Sequence, residues 1–176
     1  MNSDINKKLL TSHLIVSCEG TAEEVIVRKL LAAHSFVFPS ENVIEVTRKR
    51  KASDIQDAFL GFDYDWPVAV LRVHDSPKES FTLGKLYRDR YAVIDVVTRP
   101  EIDVLAIINE GKWDAWKRAA VKPSEYCKTA LRMPKIKQSR FLEQYWNADN
   151  ISGAAREYRR LAQLRPGEIC LADIIG

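Results

Sequence analysis

The sequence predicts an α/β fold, in which a mostly parallel sheet of about four strands is flanked by helices and followed by a C-terminal helical tail. Short apolar runs alternate with helical patterns four times within residues 13–111. Such alternation is typical of a parallel sheet covered by helices. The runs are apolar throughout instead of at every second residue, which indicates strands that are buried on both faces.

Each predicted strand is an apolar run that ends in polar residues. The four runs are His13–Cys18, Val43–Thr47, Val68–Val73 and Tyr91–Val97. A helix is predicted after each strand, over residues 21–34, 53–60, 78–88 and 100–111.

Local signals predict where these helices begin and end. Thr21–Glu24 and Ser53–Gln56 have the spacing of capping boxes. Pro100 fits the first turn of a helix, and Gly111 is a plausible C-terminal stop. These signals favour helices that start directly after the strand ends.

The rest of the chain is predicted to be helical, over residues 124–133, 139–146 and 151–164. A length of 176 residues fits one domain. We therefore expect a single domain over residues 1–176, with an α/β core at 13–111 and a basic helical extension at 112–176.

Positive charge is concentrated in two segments, although the whole chain carries only +3. Lys112–Arg140 has nine Lys or Arg against two acids, a net charge of +7. Arg48–Lys51 is a second basic run. This distribution is what a polyanion-binding protein requires, and the alternative is a pair of solvated faces.

The remaining composition predicts a cytoplasmic protein that does not contact membranes. The three cysteines are odd in number and widely spaced, which favours reduced thiols. The N-terminus lacks an apolar signal core, and no apolar stretch approaches the ~20 residues of a membrane span.

Candidate chemistry lies directly after the strands, because open parallel sheets bind ligands beyond the carboxyl ends of their strands. Glu19 follows the first strand, Asp75 the third and Glu101 the fourth. Clustered carboxylates repel one another, and a hard cation such as Mg²⁺ relieves the repulsion. The pattern therefore predicts an acidic, divalent-metal-binding site.

Each of these residues has a structural alternative. Glu19 and Glu101 can satisfy the dipoles of the following helices, and Asp75 can cap one. His74 is interpreted more readily as a packed histidine than as a ligand, and Cys18 as a small hydrophobe.

Three segments resemble TOPRIM domains, especially those of the OLD nuclease and RloB-like groups. They are VSCEGTAEEVIVRKLL at Val16–Leu31, VLRVHDS at Val70–Ser76 and TRPEIDVLAIINEG at Thr98–Gly111. The resemblance covers roughly residues 13–111. It implies a Rossmann-like sheet, a Mg²⁺ (or Mn²⁺) site, and nuclease or related phosphodiester chemistry on DNA or RNA, often in bacterial or phage defence.

The resemblance also implies roles for individual residues. Glu19 matches the family's glutamate, a general acid/base or metal-site residue, and Asp75 matches the first aspartate of the DxD motif. The second aspartate is replaced by Pro77. Either Glu79 or Glu101 completes the metal site, or the site is degenerate.

Basic residues complete the expected active site. Arg99 is predicted beside the metal as a catalytic residue. Further phosphate contacts are expected from the basic residues Arg72, Lys112, Lys117, Arg118 and Lys122.

Two other functions remain open at this point. In a non-catalytic nucleic-acid-binding module, bases would stack on Trp113, Trp116 and Tyr126, which otherwise form the core of the tail. In an interaction subunit or homodimer, apolar residues near the C-terminus would bind a protein partner.

Overall fold

The computed structural model describes residues 3–75 and 80–176, with a four-stranded parallel sheet at its centre. The strands lie in the order β2-β1-β3-β4. They are β1 (His13–Cys18), β2 (Val43–Thr47), β3 (Val68–His74) and β4 (Ala92–Val97). The predicted α/β class, with a parallel sheet of about four strands flanked by helices, is confirmed.

Nine helices, several of them single turns, are present in the part of the chain that the structure describes. They are α1 (Ser3–Thr11), α2 (Thr21–Ala32), α3 (Ala52–Ile55), α4 (Lys85–Arg88), α5 (Val104–Asn109), α6 (Trp113–Ala119), α7 (Pro123–Thr129), α8 (Ser139–Tyr145) and α9 (Ala148–Leu161). A π-helical turn, Gln56–Leu60, extends α3, and 3₁₀ turns lie at Ser40–Asn42 and Leu171–Asp173.

The two faces of the sheet are covered unequally. Successive side chains of a strand point to opposite faces, so Leu71 and Arg72 of β3 lie on different sides. The first face, which includes Leu71, joins a large hydrophobic cluster with α2, α5 and α9. The second face carries a smaller cluster around Ile15, Val70 and Leu60.

The C-terminal segment packs back against the sheet edge and the end of α2. The Val97 N–H donates to the Ile169 carbonyl at 2.9 Å, and the Val37 N–H donates to the Ile174 carbonyl at 3.0 Å. Phe36 and Ile175 form an antiparallel bridge. The large hydrophobic cluster therefore includes residues from both the α/β core and the C-terminal extension.

The two predicted capping boxes are wrong. Gly20 is the N-cap of α2 and Lys51 that of α3, and neither helix has a side-chain cap. Thr21 lies inside the helix, where its hydroxyl accepts a hydrogen bond from Arg48 at 3.3 Å. The Ser53 hydroxyl donates to the adjacent Asp54 carboxylate at 3.2 Å instead.

Other helix boundaries differ in detail from the prediction. Pro100 is not in the first turn of a helix, since α5 begins at Val104. Gly111 does end that helix: its φ is +64°, and its N–H donates to the Ile108 carbonyl at 2.8 Å. Lys78 lies outside the described residues, and α4 begins only at Lys85, with Gly84 as its N-cap.

Two helices, α1 and α6, were not predicted. Within residues 3–75 and 80–176, no helix combines the length and the apolar character that crossing a membrane requires.

Candidate functional site

Glu19 and Asp75 lie in direct contact at the carboxyl ends of β1 and β3. The Glu19 N–H continues the ladder by donating to the Val73 carbonyl at 3.0 Å. One carboxylate oxygen of Glu19 accepts the Asp75 N–H at 2.8 Å, and the other accepts Nη2 of Arg50 at 2.9 Å. The sheet register thus positions the first two predicted site residues side by side.

The Asp75 carboxyl is difficult to ionise in this position. Burial raises its pKa to about 7, together with a hydrogen bond to the Glu19 side chain and the negative charges of Glu19, Glu23 and Glu101. Proximity of like charges favours the neutral acid, and a bound cation would favour the ionised form instead. Near neutral pH, the pair therefore holds either a proton or another positive charge.

Five carboxylates lie at this end of the molecule, and we call them the acidic cluster. Its members are Glu19, Glu23, Asp75, Glu101 and Asp103. Three of them, Glu19, Asp75 and Glu101, had been predicted to meet at this edge: Glu19 contacts Asp75, and the charge of Glu101 acts on Asp75.

Glu23 is a buried member of the acidic cluster in the first turn of α2. Its pKa is raised mainly by burial, with contributions from Glu19 and Asp103. A Cβ at position 20 would lie 3.2 Å from Oε2 of Glu23. Gly20 therefore leaves room for this carboxylate at the junction of strand and helix.

Asp103 is the most deeply buried carboxylate of the cluster, with a side chain 1% exposed. One oxygen forms an ion pair with the Lys137 ammonium. The other, Oδ1, is buried and accepts no hydrogen bond from any residue in the described ranges. Burial raises the pKa of Asp103, and the ion pair with Lys137 opposes that rise.

Glu101 has a structural contact as well as its place in the cluster. Its Oε2 accepts the Ser124 N–H at 2.9 Å, in the first turn of α7. Its charge also contributes to the raised pKa of Asp75. The structural alternative for Glu101 was a contact with the start of the helix that follows it in sequence, which is α5. Its carboxylate instead contacts the start of α7.

Arg99 points toward the C-terminal segment. Its guanidinium forms an ion pair with Glu168, and its backbone N–H donates to the Tyr158 hydroxyl at 2.8 Å. The charges that shift the pKa of Asp75 are all carboxylates of the acidic cluster. The catalytic role of Arg99 beside a metal stays a prediction.

Arg72 lies on the second face of the sheet and is 4% exposed. Its Nη1 donates to Oδ1 of Asp95 at 2.7 Å, and its guanidinium carbon lies 4.2 Å from the centre of the Phe81 ring. The same Asp95 oxygen lies 3.0 Å from Nε2 of His74. A phosphate would reach Arg72 only by displacing these neighbours, so its predicted phosphate contact stays untested.

The other predicted nucleic-acid-binding residues, Lys112, Lys117, Arg118 and Lys122, are exposed. Nζ of Lys117 lies 5.8 Å and 5.7 Å from the ring centres of Trp113 and Trp116.

The aromatic side chains of this region differ in burial. Trp116 and Tyr126 are buried in the large hydrophobic cluster, and Trp113 is partly buried against it.

Sequence reasoning missed Glu23, Asp103 and Lys137. Glu23 follows Glu19 by four residues and Asp103 follows Glu101 by two, and this closeness to predicted site acids could have pointed to them. Lys137 carries no such signal, because it belongs to a basic segment whose other members are mostly exposed.

The acidic cluster offers the implied metal a small set of oxygen ligands. In the described ranges, no three His, Cys, Asp or Glu side chains are arranged to hold one metal ion. The predicted ligand Glu79 lies outside those ranges. Mg²⁺ is often bound by only one or two carboxylates together with water and substrate phosphates, so the pair Glu19 and Asp75 fits that smaller donor set.

No family model, curated protein or solved structure matches the chain.

Proposed function

We propose that this chain is a divalent-metal-dependent protein that processes phosphodiester bonds of nucleic acid in the cytoplasm, with Glu19 and Asp75 at its active site. The observation that carries the proposal is the contact between these two carboxylates, which together with burial and the neighbouring acids raises the pKa of Asp75 to about 7. Folding alone does not need such an arrangement, whereas cation binding does.

The donor atoms favour Mg²⁺ or Mn²⁺, since both prefer oxygen ligands. Glu19 and Asp75 would hold the ion through their carboxylate oxygens. When bound, such an ion stabilises charge on a phosphate and lowers the pKa of water.

The protein's own groups then orient the site. The Asp75 N–H fixes one oxygen of Glu19, and Arg50 pairs with the other, so a metal ion would compete with Arg50 for that oxygen. Exposed Lys112, Lys117 and Arg118 provide positive charge for the polymer backbone. The resemblance of residues 16–31 to TOPRIM nucleases supports the same chemistry.

Metal-dependent cleavage assays test the proposal directly. Single-stranded DNA, duplex DNA and RNA would be incubated with the protein and Mg²⁺ or Mn²⁺, with chelator as the blank. Glu19→Gln and Asp75→Asn should each reduce cleavage by about 100-fold or more, the usual effect of losing an acid/base group. Asp65→Asn, an exposed substitution, should leave cleavage unchanged. Cleavage that persists in Glu19→Gln and in Asp75→Asn would contradict the proposal.

A specific observation favours a second function, that of a non-catalytic nucleic-acid-binding module. Both oxygens of Glu19 are already engaged within the protein, by Arg50 and by the Asp75 amide. Binding without turnover, weakening steeply as salt rises, would support this alternative. Binding that is indifferent to salt would contradict both functions.

A further inference from the structure

A cavity of about 350 Å³ lies between residues 99–100, α6 and the end of α9. Its main lining residues are Arg99, Pro100, Trp113, Trp116, Lys117 and Tyr158. The volume falls in the lower part of the range of small-ligand sites, about 300–1,000 Å³.

The cavity wall combines indole rings with a cation. The rings of Trp113 and Trp116 lie 5.1 Å apart at 62°, an edge-to-face arrangement. Nε1 of Trp116 donates to the Val121 carbonyl at 2.8 Å and holds that ring in place. Trp113 is only partly buried, so it is the ring that a ligand can cover.

Charge in the cavity favours an anionic ligand through Lys117. Its ammonium lies within 6 Å of both indole centres, at 5.8 Å and 5.7 Å. Arg99 also lines the cavity, but Glu168 neutralises its guanidinium. A flat aromatic group linked to a phosphate matches this pairing of ring and ammonium.

The cavity is joined to the acidic cluster by the chain itself. Pro100 lines the cavity, and the next residue, Glu101, contributes to the raised pKa of Asp75. Consecutive Cα atoms are about 3.8 Å apart. The cavity lining and the acidic cluster therefore meet at two neighbouring residues of the chain, Pro100 and Glu101.

We propose that this cavity binds one unpaired nucleobase of single-stranded nucleic acid, with the base stacked on Trp113 and an adjacent phosphate on Lys117. A base within a duplex is stacked and paired, so it cannot enter such a cavity without being flipped out. The inference rests on the proposed function and deepens it, since it makes single-stranded nucleic acid the substrate class.

Binding of a fluorescein-labelled oligothymidylate of about 10 nucleotides, followed by anisotropy, tests the proposal. Trp113→Ala should weaken binding by at least about fivefold, the effect of losing one stacked base. Trp66→Ala is the matched control, because Trp66 is 46% exposed and lies outside the cavity lining. It should bind as the wild type does.

Four further variants make the result independent of folding defects. Trp113→Leu keeps an apolar side chain without an aromatic face and should show the same loss, whereas Trp113→Phe should recover part of the binding. Lys117→Ala should reduce the salt dependence by about one phosphate contact. Lys128→Ala, another exposed lysine, should leave the salt dependence unchanged.

Unchanged affinity in Trp113→Ala and Trp113→Leu, or equal affinity of the wild type for the oligothymidylate and its duplex, overturns the cavity proposal. This failure is distinguishable from failure of the proposed function. If the wild type cleaves with Mg²⁺ and Trp113→Ala binds and cleaves normally, only the cavity proposal fails. If the wild type binds the oligothymidylate through Trp113 but shows no metal-dependent cleavage, only the proposed catalytic function fails.

Discussion

Two groups of charged residues lie near the carboxyl edge of the sheet, and their charges are balanced in different ways. On the second face, Arg72 and His74 both contact the carboxylate of Asp95. Beside the helices of the first face, the five carboxylates of the acidic cluster are contacted by Lys137 and Arg50 among the described residues.

The pKa values reflect this difference. Hydrogen bonds and charges from His74 and Arg72 outweigh the burial of Asp95 and lower its pKa. Burial and neighbouring acids raise the pKa of Asp75 to about 7. The Asp95 carboxylate is therefore stabilised in its ionised form by its own contacts, whereas the Asp75 carboxyl would be stabilised in that form by an added cation. Removing a partner of an ion pair should thus destabilise either group, whereas removing a carboxylate should relieve the acidic cluster.

The largest expected effect is that of Arg72→Ala. It removes the ion pair with Asp95 and the packing on Phe81. Breaking a fully buried ion pair lowers the free energy of unfolding by about 3–5 kcal/mol. Because Asp95 is half-exposed, we expect a smaller loss here, of about 2–3 kcal/mol. Urea unfolding measures the loss. Arg90→Ala is the matched control, because its pair with Asp63 is exposed, and it should cause no measurable change.

Lys137→Met should also destabilise the protein, by about 2 kcal/mol, because it leaves the buried Asp103 without its cation. The loss should be greater at about pH 8 than at about pH 5, where Asp103 can stay protonated. Urea unfolding at both pH values measures it. Lys8→Met breaks an exposed pair with Asp4 and serves as the control. Equal effects of the two substitutions would contradict a buried role for Lys137.

Asp75 should make stability fall as pH rises. The unfolded carboxyl ionises near 3.9, whereas the folded one keeps its proton to a pKa of about 7. Between these values the folded state binds more protons, so stability is fully present below about pH 4 and is lost up to about pH 7. Because Asp75 is partly exposed, we expect a decline of about 1–2 kcal/mol after solvent screening.

Asp75→Asn should remove that decline and be more stable than the wild type above about pH 7, in metal-free buffer. Urea unfolding across the pH range measures both proteins. If the two curves run parallel, Asp75 does not carry a raised pKa.

The smallest expected effect is that of Arg50→Ala. Arg50 is partly exposed and contacts Glu19 at 2.9 Å, so its removal should change stability little. It should strengthen Mn²⁺ binding by about two- to fivefold, because a competing cation is lost. Isothermal titration calorimetry measures this affinity. Weaker binding would show that Arg50 supports the site and does not compete with the metal.

The sheet and its edge were predictable from sequence for one physical reason. Strands buried on both faces are apolar throughout, so β1 and β3 were visible as continuous runs. Parallel strands end at the same edge, and this alone brings Glu19, Asp75 and Glu101 together. The helix starts were less predictable, because a capping-box pattern at Thr21 does not show that Gly20 takes the cap position.

The partners of the charged side chains were not predictable. Lys137 and Lys117 belong to the same basic segment, yet Lys137 turns toward a buried acid while Lys117 lies against indole rings. Arg72 lies among the apolar residues of β3, and its side chain is buried on the second face of the sheet. Such choices depend on tertiary packing between distant segments, which a local pattern does not contain.

A crystal structure determined with Mn²⁺ tests the central claim most directly. The account predicts one ion bound to carboxylate oxygens of both Glu19 and Asp75, at a ligand distance of about 2.1 Å. An anomalous difference map would locate it without ambiguity. A map with no ion at this pair, and with Glu19 still held by Arg50 and the Asp75 amide, would contradict the account.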